Sequence, residues 1–442
     1  MKVFFRNIHL YLSLAAGLVI MTCCFTGAVL VFEKELQEAF NHDRYFVKQE
    51  NLQLPLEKLV ESVKQKFPTA KISSVKIYPD PARSVEVSVS IAEKGTKGEA
   101  AKAKHEGRNE EIFAERKGRT QVGENRSARS DVPEKNAGEL SAKNEKRLQK
   151  GPVAGGGRPS HTVFVNPYTA NIIELYSYRE TFFYTMFSLH RWLLGGDDSI
   201  GKIITGVATF IFLFILITGI ILWWPRNKAI LKRRLKIKTG VSWKRLNHDL
   251  HIVLGFYSAI LLFIFAFTAL AWSFKWFNDG IYTITKSSMK PAELPNSAIQ
   301  TDKQKISYDS AFIIINNAVG DVQYYSLRAP ADSAGVFTAT VLPVNANESA
   351  ADNYYIDQYS GRIIGSLKFK DKNLGQRVRA TFKPVHVGSV YGWPSKIIAF
   401  LVCILGVTFP ITGVIMWINR LKIGKKKNRS ITTLIVENDQ NE

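Results

Sequence analysis

Cysteine is almost missing from this chain: three occur among 442 residues, at positions 23, 24 and 403, each inside a long apolar run. Intramolecular disulfides are thereby excluded from the two long polar connections, and the three thiols read as small apolar side chains. Also lacking are a Walker loop, a dinucleotide-binding fingerprint, a zinc-protease helix and a nucleophile elbow. No flavin or nicotinamide site is recognisable, so any electrons the chain handles come from a partner or from membrane quinol. Carboxylates are absent from the apolar runs, which argues against a metal or siderophore transporter.

What the chain does have is strong segregation. With 46% hydrophobic residues and a mean hydropathy of −0.05, it averages very apolar stretches with very polar ones. Four windows approach or exceed the roughly 20 apolar residues a membrane span needs: Ile8 to Phe32, Ile203 to Trp224, Ile252 to Phe274 and Ile397 to Ile418. The first is too long for a signal-peptide core and no small-x-small cleavage site follows it, so it is read as a span. Residues 225–245 carry nine Lys or Arg and no acid, and the tail after the fourth span is also basic. Short loops of this kind stay in the cytoplasm. Both termini are then cytoplasmic, and the two long connections lie on the other side, which in a bacterium is the periplasm. Much of the net charge of +21 sits in these flanking segments and in one polar insert, so nucleic acid is not an expected partner.

Four histidines fall at the ends of these segments and sort into pairs. His9 precedes Thr26 by seventeen positions, and His251 precedes Thr268 by the same interval. His190 leads into Thr218-Gly219 and His386 into Thr412-Gly413, each pair followed by a Trp five residues after the Thr, at 223 and 417. The first and third spans repeat each other, as do the second and fourth. A lone histidine at a membrane boundary can simply hydrogen-bond there or snorkel to headgroups. Two duplicated pairs at matching depths point instead to axial ligation of two haems b, His9 with His251 near the cytoplasmic face and His190 with His386 near the periplasmic face. His248 lies one helical turn before His251 and could replace it; the seventeen-residue match selects His251. His42, His105 and His161 read as ordinary surface residues.

The outside regions also echo each other. LEKLVESVKQKF and SYDSAFIIINNAV have helical spacing. SSVKIYPD, SVEVSVSI, QYYSLRAP and GVFTATVLPV alternate as strands, while HTVFVNPYTANII and NYYIDQYSGRIIG read as strand-turn-strand. The expected fold is an α-helical membrane protein of four transmembrane helices in two repeats, with two periplasmic α+β modules. Its expected segments are helix 1 at 1–32, module 1 at 33–199, helix 2 at 200–224 and a basic loop at 225–246. Helix 3 at 247–276, module 2 at 277–392, helix 4 at 393–418 and a tail at 419–442 follow. From about 93 to 159 the composition is rich in Lys, Glu, Arg and Gly, too polar to offset the entropy of folding, and reads as a disordered insert.

Smaller features have two readings each. Gly27, Gly219 and Gly413 suit close helix contact, with flexible backbone near a porphyrin as the alternative. Trp223, Trp224 and Trp417 form an aromatic belt, or relay electrons. Arg191, Arg6 and Arg245 stand near the proposed ligands and could pair with haem propionates, although the latter two also satisfy the charge rule for cytoplasmic loops.

Taken in order, LHRWL (189–193), the Thr-Gly pair with WWPR (218–226), DLHIVLG (249–255), IDQYSGRIIG (356–365) and PVHVGSVYGWPSKI (384–397) resemble the PepSY-associated transmembrane proteins, often described as iron-regulated membrane proteins. The likeness covers nearly the whole chain apart from the insert. It departs at Thr268-Ala269, where the family favours Thr-Gly, and at Ser13, where His-x-x-x-Gly is expected. The resemblance implies an inner-membrane di-haem reductase that delivers electrons to ferric siderophores, without the fused flavin domain of some relatives. The expected function is therefore ferric (siderophore) reduction, with quinol or a cytoplasmic reductase as donor and membrane lipid around the spans. The alternative is a PepSY protein that binds peptides or restrains a protease, its histidines merely structural.

Overall fold

The structure, a computed structural model, describes residues 1–50, 52–91, 161–225, 227–300 and 302–439, with side chains described as far as 423. The segment read as an insert, with its His105, and Arg226 of the WWPR motif lie outside the described residues.

Four helices are long and apolar enough to cross a membrane: Lys2–Val31, Ile200–Trp223, Trp243–Ser273 and Trp393–Ile423. The first is α1 (Lys2–Val31). It leads into α2 (Glu33–Phe40) and the single turn α3 (His42–Tyr45), and α4 (Leu56–Lys66) follows. After the sheet strands of this half come α5 (Phe182–Trp192) and the second span, α6 (Ile200–Trp223). The basic loop forms α7 (Lys228–Arg234). The third span begins as α8 (Trp243–Asp249), passes through a π turn at Leu250–Leu254 and continues as α9 (Gly255–Ser273). Then come α10 (Lys275–Ile284), α11 (Tyr308–Ala318), α12 (Leu374–Val387) and α13 (Trp393–Asp439), whose first part is the fourth span.

Within the bundle, α1 packs against α6 and α13, and α9 packs against α6 and, less extensively, α13. Its centre is dry: Ala16, Ile20 and Cys24 of α1 meet Ala208 and Ile215 of α6, Leu262 of α9 and Val402 of α13. Small residues set the spacing, since a Cβ on Gly406 would lie 2.6 Å from Cys24 Sγ. Leu18, Ile203, Ile260 and Leu401 stay exposed on the outside, as the lipid-facing surface of a membrane bundle requires.

The two outside connections form one sheet. Its strands are β1 (Lys71–Ile77), β2 (Val85–Ser90), β3 (His161–Val165), β4 (Ile172–Tyr176), β5 (Val322–Arg328), β6 (Val336–Pro343), β7 (Asp352–Asp357) and β8 (Ile363–Leu367). They are ordered β4-β3-β2-β1-β5-β6-β7-β8, and every neighbouring pair is antiparallel. The expected strands all form. The two groups of four join edge to edge along β1 and β5, where Val75 faces Leu327 and Ile77 faces Tyr325. Period-2 patterning puts Val75, Val87, Val163, Leu327, Ala339 and Ile356 on one face, packed under Leu59, Val60 and Val63 of α4 and Ile315 of α11. The two helices are tied at their starts: Asp309 accepts from the amides of Leu56 and Glu57 at 2.6 and 3.1 Å, and Glu57 accepts from Tyr308 N at 3.2 Å.

Charged pairs hold the sheet above the bundle. Arg44 grips Glu174 with two hydrogen bonds of 2.8 and 2.7 Å, Arg83 meets Glu38 at 3.0 Å, and Lys396 meets Glu35 at 2.5 Å.

Candidate functional site

The four histidines occupy two levels of the bundle, and each sits on the threonine of a neighbouring helix. His9 on α1 places Nδ1 3.0 Å from the Ile215 carbonyl and 3.0 Å from Thr218 Oγ1, both on α6. His190 on α5 places Nδ1 3.0 Å from the Cys23 carbonyl and 3.0 Å from Thr26 Oγ1 of α1. The third, His386 on α12, stands 2.9 Å from the Phe265 carbonyl and 3.2 Å from Thr268 Oγ1 of α9. His251, within the π turn, stands 2.8 Å from Thr412 Oγ1 of α13.

These contacts fix the tautomer. Each threonine hydroxyl donates to a carbonyl one turn back, at 2.7 to 2.9 Å, so its oxygen is left to accept. Carbonyl oxygens can only accept. Nδ1 is therefore the N–H donor at all four sites, and Nε2 keeps a bare lone pair, which is the form in which imidazole binds a metal. Among the described residues Nε2 of these histidines enters no hydrogen bond.

The seats are reciprocal. The first half of the chain exchanges His9–Thr218 and His190–Thr26, and the second half exchanges His251–Thr412 and His386–Thr268. Seventeen residues of helix rise about 25 Å, so the repeated interval is the distance between the two levels: one end of α1 carries a histidine and the other carries a seat.

The pairing of His190 with His386 is direct: their ring centroids lie 6.1 Å apart with planes inclined by 66°. Two metal–imidazole bonds of ~2.0 Å plus ~1.1 Å from each nitrogen to its ring centre give about 6.2 Å, so the gap suits one metal plane. His9 and His251 line a common cavity of about 680 Å³, floored by Gly17, Ile20, Phe212, Gly406 and Phe409. That volume lies within the ~300–1,000 Å³ of organic cofactor sites. No group of three or more His, Cys, Asp or Glu that could enclose a bare ion occurs among the described residues. Opposed pairs of imidazoles are instead what an iron–porphyrin needs, because the macrocycle supplies the remaining ligands.

Three glycines lie where side chains of neighbouring helices come close. A Cβ on Gly219 would lie 3.3 Å from His9 Cε1, one on Gly413 3.5 Å from His251 Cε1, and one on Gly27 3.4 Å from His190 Cε1. At Gly219 and Gly413 the neighbouring helix comes close through its imidazole; at Gly27 both the His190 ring and Cys403 Sγ, at 3.7 Å, come close. The fourth seat keeps Ala269.

His190 is aimed by a tight corner. Leu193 closes α5 in the left-handed region at φ 49°, and Gly201 at the start of α6 comes so near Trp192 that a Cβ would sit 1.9 Å from its carbonyl oxygen. His190 and His386 thus belong to short helices of their own, separate from the spans they precede.

His248 also lines the cavity, but its side chain is 43% exposed and sits beside Asp249 at 3.4 Å. The geometry favours His251. Of the three expected arginines, Arg6 lines the cavity. Arg191 stacks near Phe187 and Trp192. Arg245 is not among the lining residues; it pairs with the buried Asp249 at 2.9 Å. The sequence reading missed Lys244 and Arg420, which do line the cavity, because basic residues beside spans were read for topology alone. It also missed Arg379, which lies over Trp272, itself 5.5 Å from His386.

The profile of the PepSY-associated TM region matches residues 6–420. The chain belongs to this family. Its four apolar helices make it a multi-pass membrane protein in contact with lipid. No curated protein matches it.

Proposed function

We propose that this PepSY-associated membrane protein is a di-haem b electron carrier of the bacterial inner membrane. In this reading it reduces ferric iron on the sheet side, with siderophore-bound Fe(III) in the periplasm as substrate, and both termini are cytoplasmic. Electrons enter from membrane quinol or a cytoplasmic reductase. The observation that carries the reading is the four Nδ1-anchored histidines, whose Nε2 lone pairs are left free, with His190 and His386 6.1 Å apart between ring centroids and His9 and His251 lining one cavity.

A bis-histidine haem b at such a level supplies a carrier for one electron. The chain's residues do the rest. The threonine and carbonyl acceptors hold each ring at one orientation and enrich its electron density. The apolar middle, with Ile20, Cys24, Leu262 and Phe409, excludes water between the levels. The two-repeat organisation gives one ligand from each half at each level. One electron delivered to chelated Fe(III) yields Fe(II), which the chelate holds weakly. The β1–β5 ladder joins the two modules into one sheet, so a chelate would approach beside the sheet rather than through its seam.

The test is the purified protein from haem-replete cells. A red preparation with a low-spin b-type spectrum, reduced by dithionite and reoxidised by a ferric siderophore, supports the proposal. A colourless preparation overturns it and favours peptide binding or protease restraint.

A further inference from the structure

A groove of about 390 Å³ opens on the outer wall of the bundle, at the end away from the sheet, where Lys2 at the start of α1 meets Ile220, Ile221, Trp224 and Pro225 at the end of α6. Its walls are apolar, and its one cation is Lys2. Ile221 and Trp224 are exposed there, so the groove is continuous with the lipid-facing surface of the spans. Trp224 and Trp243, both exposed, stand where an apolar interior gives way to headgroups. The surrounding charge has one sign. Residues 1–32 contain Lys2 and Arg6 without an acid, and residues 225–245 contain nine cations without one. Asp249, the first acid after them, already pairs with Arg245 at 2.9 Å. Arg234 keeps the basic loop at this end of the bundle by donating to the carbonyls of Leu222 and Trp223, and Tyr257 Oη donates to the Leu235 carbonyl at 3.3 Å. Within these segments no carboxylate is left to balance the cations.

We propose that this groove binds an anionic phospholipid, with one acyl chain lying on Ile220, Ile221 and Trp224 and the phosphate-bearing headgroup resting on Lys2. Its volume falls within the ~300–1,000 Å³ of organic ligand sites. An apolar slot with an ammonium at its mouth matches the two ends of a lipid, and an acid-free collar selects a headgroup of net negative charge over a zwitterion. A soluble acidic protein fits less well, because the slot is open on the wall that faces lipid. The site also bears on the His9 level. Ile220 walls both this groove and the cavity of His9 and His251, next to Gly219, where the His9 ring comes close. An occupied groove would brace the α1–α6 contact that seats His9 on Thr218.

The test uses the full-length protein, delipidated in detergent and titrated with phosphatidylglycerol or with phosphatidylcholine of the same acyl chains, and bound lipid is counted by native mass spectrometry. One phosphatidylglycerol per chain should be retained, roughly fivefold more tightly than phosphatidylcholine, the scale for one lysine beside an anionic headgroup. Lys2→Gln should remove that preference. Ile221→Trp, which fills the slot and keeps every charge, should weaken retention of both lipids severalfold. Lys238→Gln, on the same basic loop, should change little, because Lys238 does not line the groove. Equal retention of the two lipids by wild type overturns the proposal, and so does an equal loss in Lys2→Gln and Lys238→Gln, the mark of diffuse attraction to a charged surface. Poly-glutamate, which has the charge without the acyl chains, should not displace the lipid; displacement overturns the proposal in favour of an acidic protein. The readout needs no haem, so its failure leaves the electron-carrier reading standing.

Discussion

The imidazole of His190 faces that of His386 across 6.1 Å, from short helices that begin nearly two hundred residues apart in the chain, with their planes inclined by 66°. Each ring is held from behind by a carbonyl, Cys23 on one side and Phe265 on the other.

The angle makes a spectroscopic prediction. Axial imidazoles far from parallel give a strongly anisotropic low-spin ferric signal, so the EPR spectrum at this level should contain one. His190→Ala and His386→Ala should each remove that signal and about one haem per chain, as measured by pyridine haemochrome. Retention of both haems in either variant would sink the pairing.

The threonines separate in their expected effects. His251 has Thr412 as its described partner, whereas His190 keeps the Cys23 carbonyl if Thr26 is lost. Thr412→Val should weaken haem retention at its level by roughly 10–100-fold, the usual scale for losing an outer-shell partner. Thr26→Val should have a clearly smaller effect. Redox titration gives a second readout: the potential at the Thr412 level should rise, because its imidazole loses basicity.

Steric room at the seats can be tested by size. Gly219→Ala puts a Cβ 3.3 Å from His9 Cε1, a contact a few tenths of an ångström of movement would relieve. Gly219→Leu should displace the ring at a cost of about 1–3 kcal/mol and halve the haem content. Equal haem content in wild type and the leucine variant would show that the ring does not rest there.

The sheet should be separable from the bundle chemistry. Leu327, fully buried at the β1–β5 seam, can be cut to Ala at a cost of about 2–5 kcal/mol. Limited proteolysis should then attack the sheet strands at lower temperature, with the visible spectrum unaltered. Loss of haem in this variant would mean the two parts are coupled.

The spans and strands were legible in the sequence because their signals are local. Apolar runs near 20 residues exceed what a strand can use, and period-2 alternation in VEVSVS can bury only one face. The seventeen-residue interval from His9 to Thr26 and from His251 to Thr268 was equally readable. What that interval means was not: it joins a histidine at one end of a helix to the threonine that holds a different histidine at the other. The partners of His9, His190, His251 and His386 lie 118 to 209 residues away along the chain, and no periodicity reports a contact that helix packing creates. The same limit covers the commitment of Arg245 to Asp249 and the π turn around His251. It also covers the joining of two strand groups into one sheet, since an edge strand looks the same in sequence whether or not another edge covers it. Sequence alone determined which segments are long and apolar enough to cross the membrane and which form strands. Tertiary structure alone decided who holds whom, because that depends on distances between helices rather than on spacing within them.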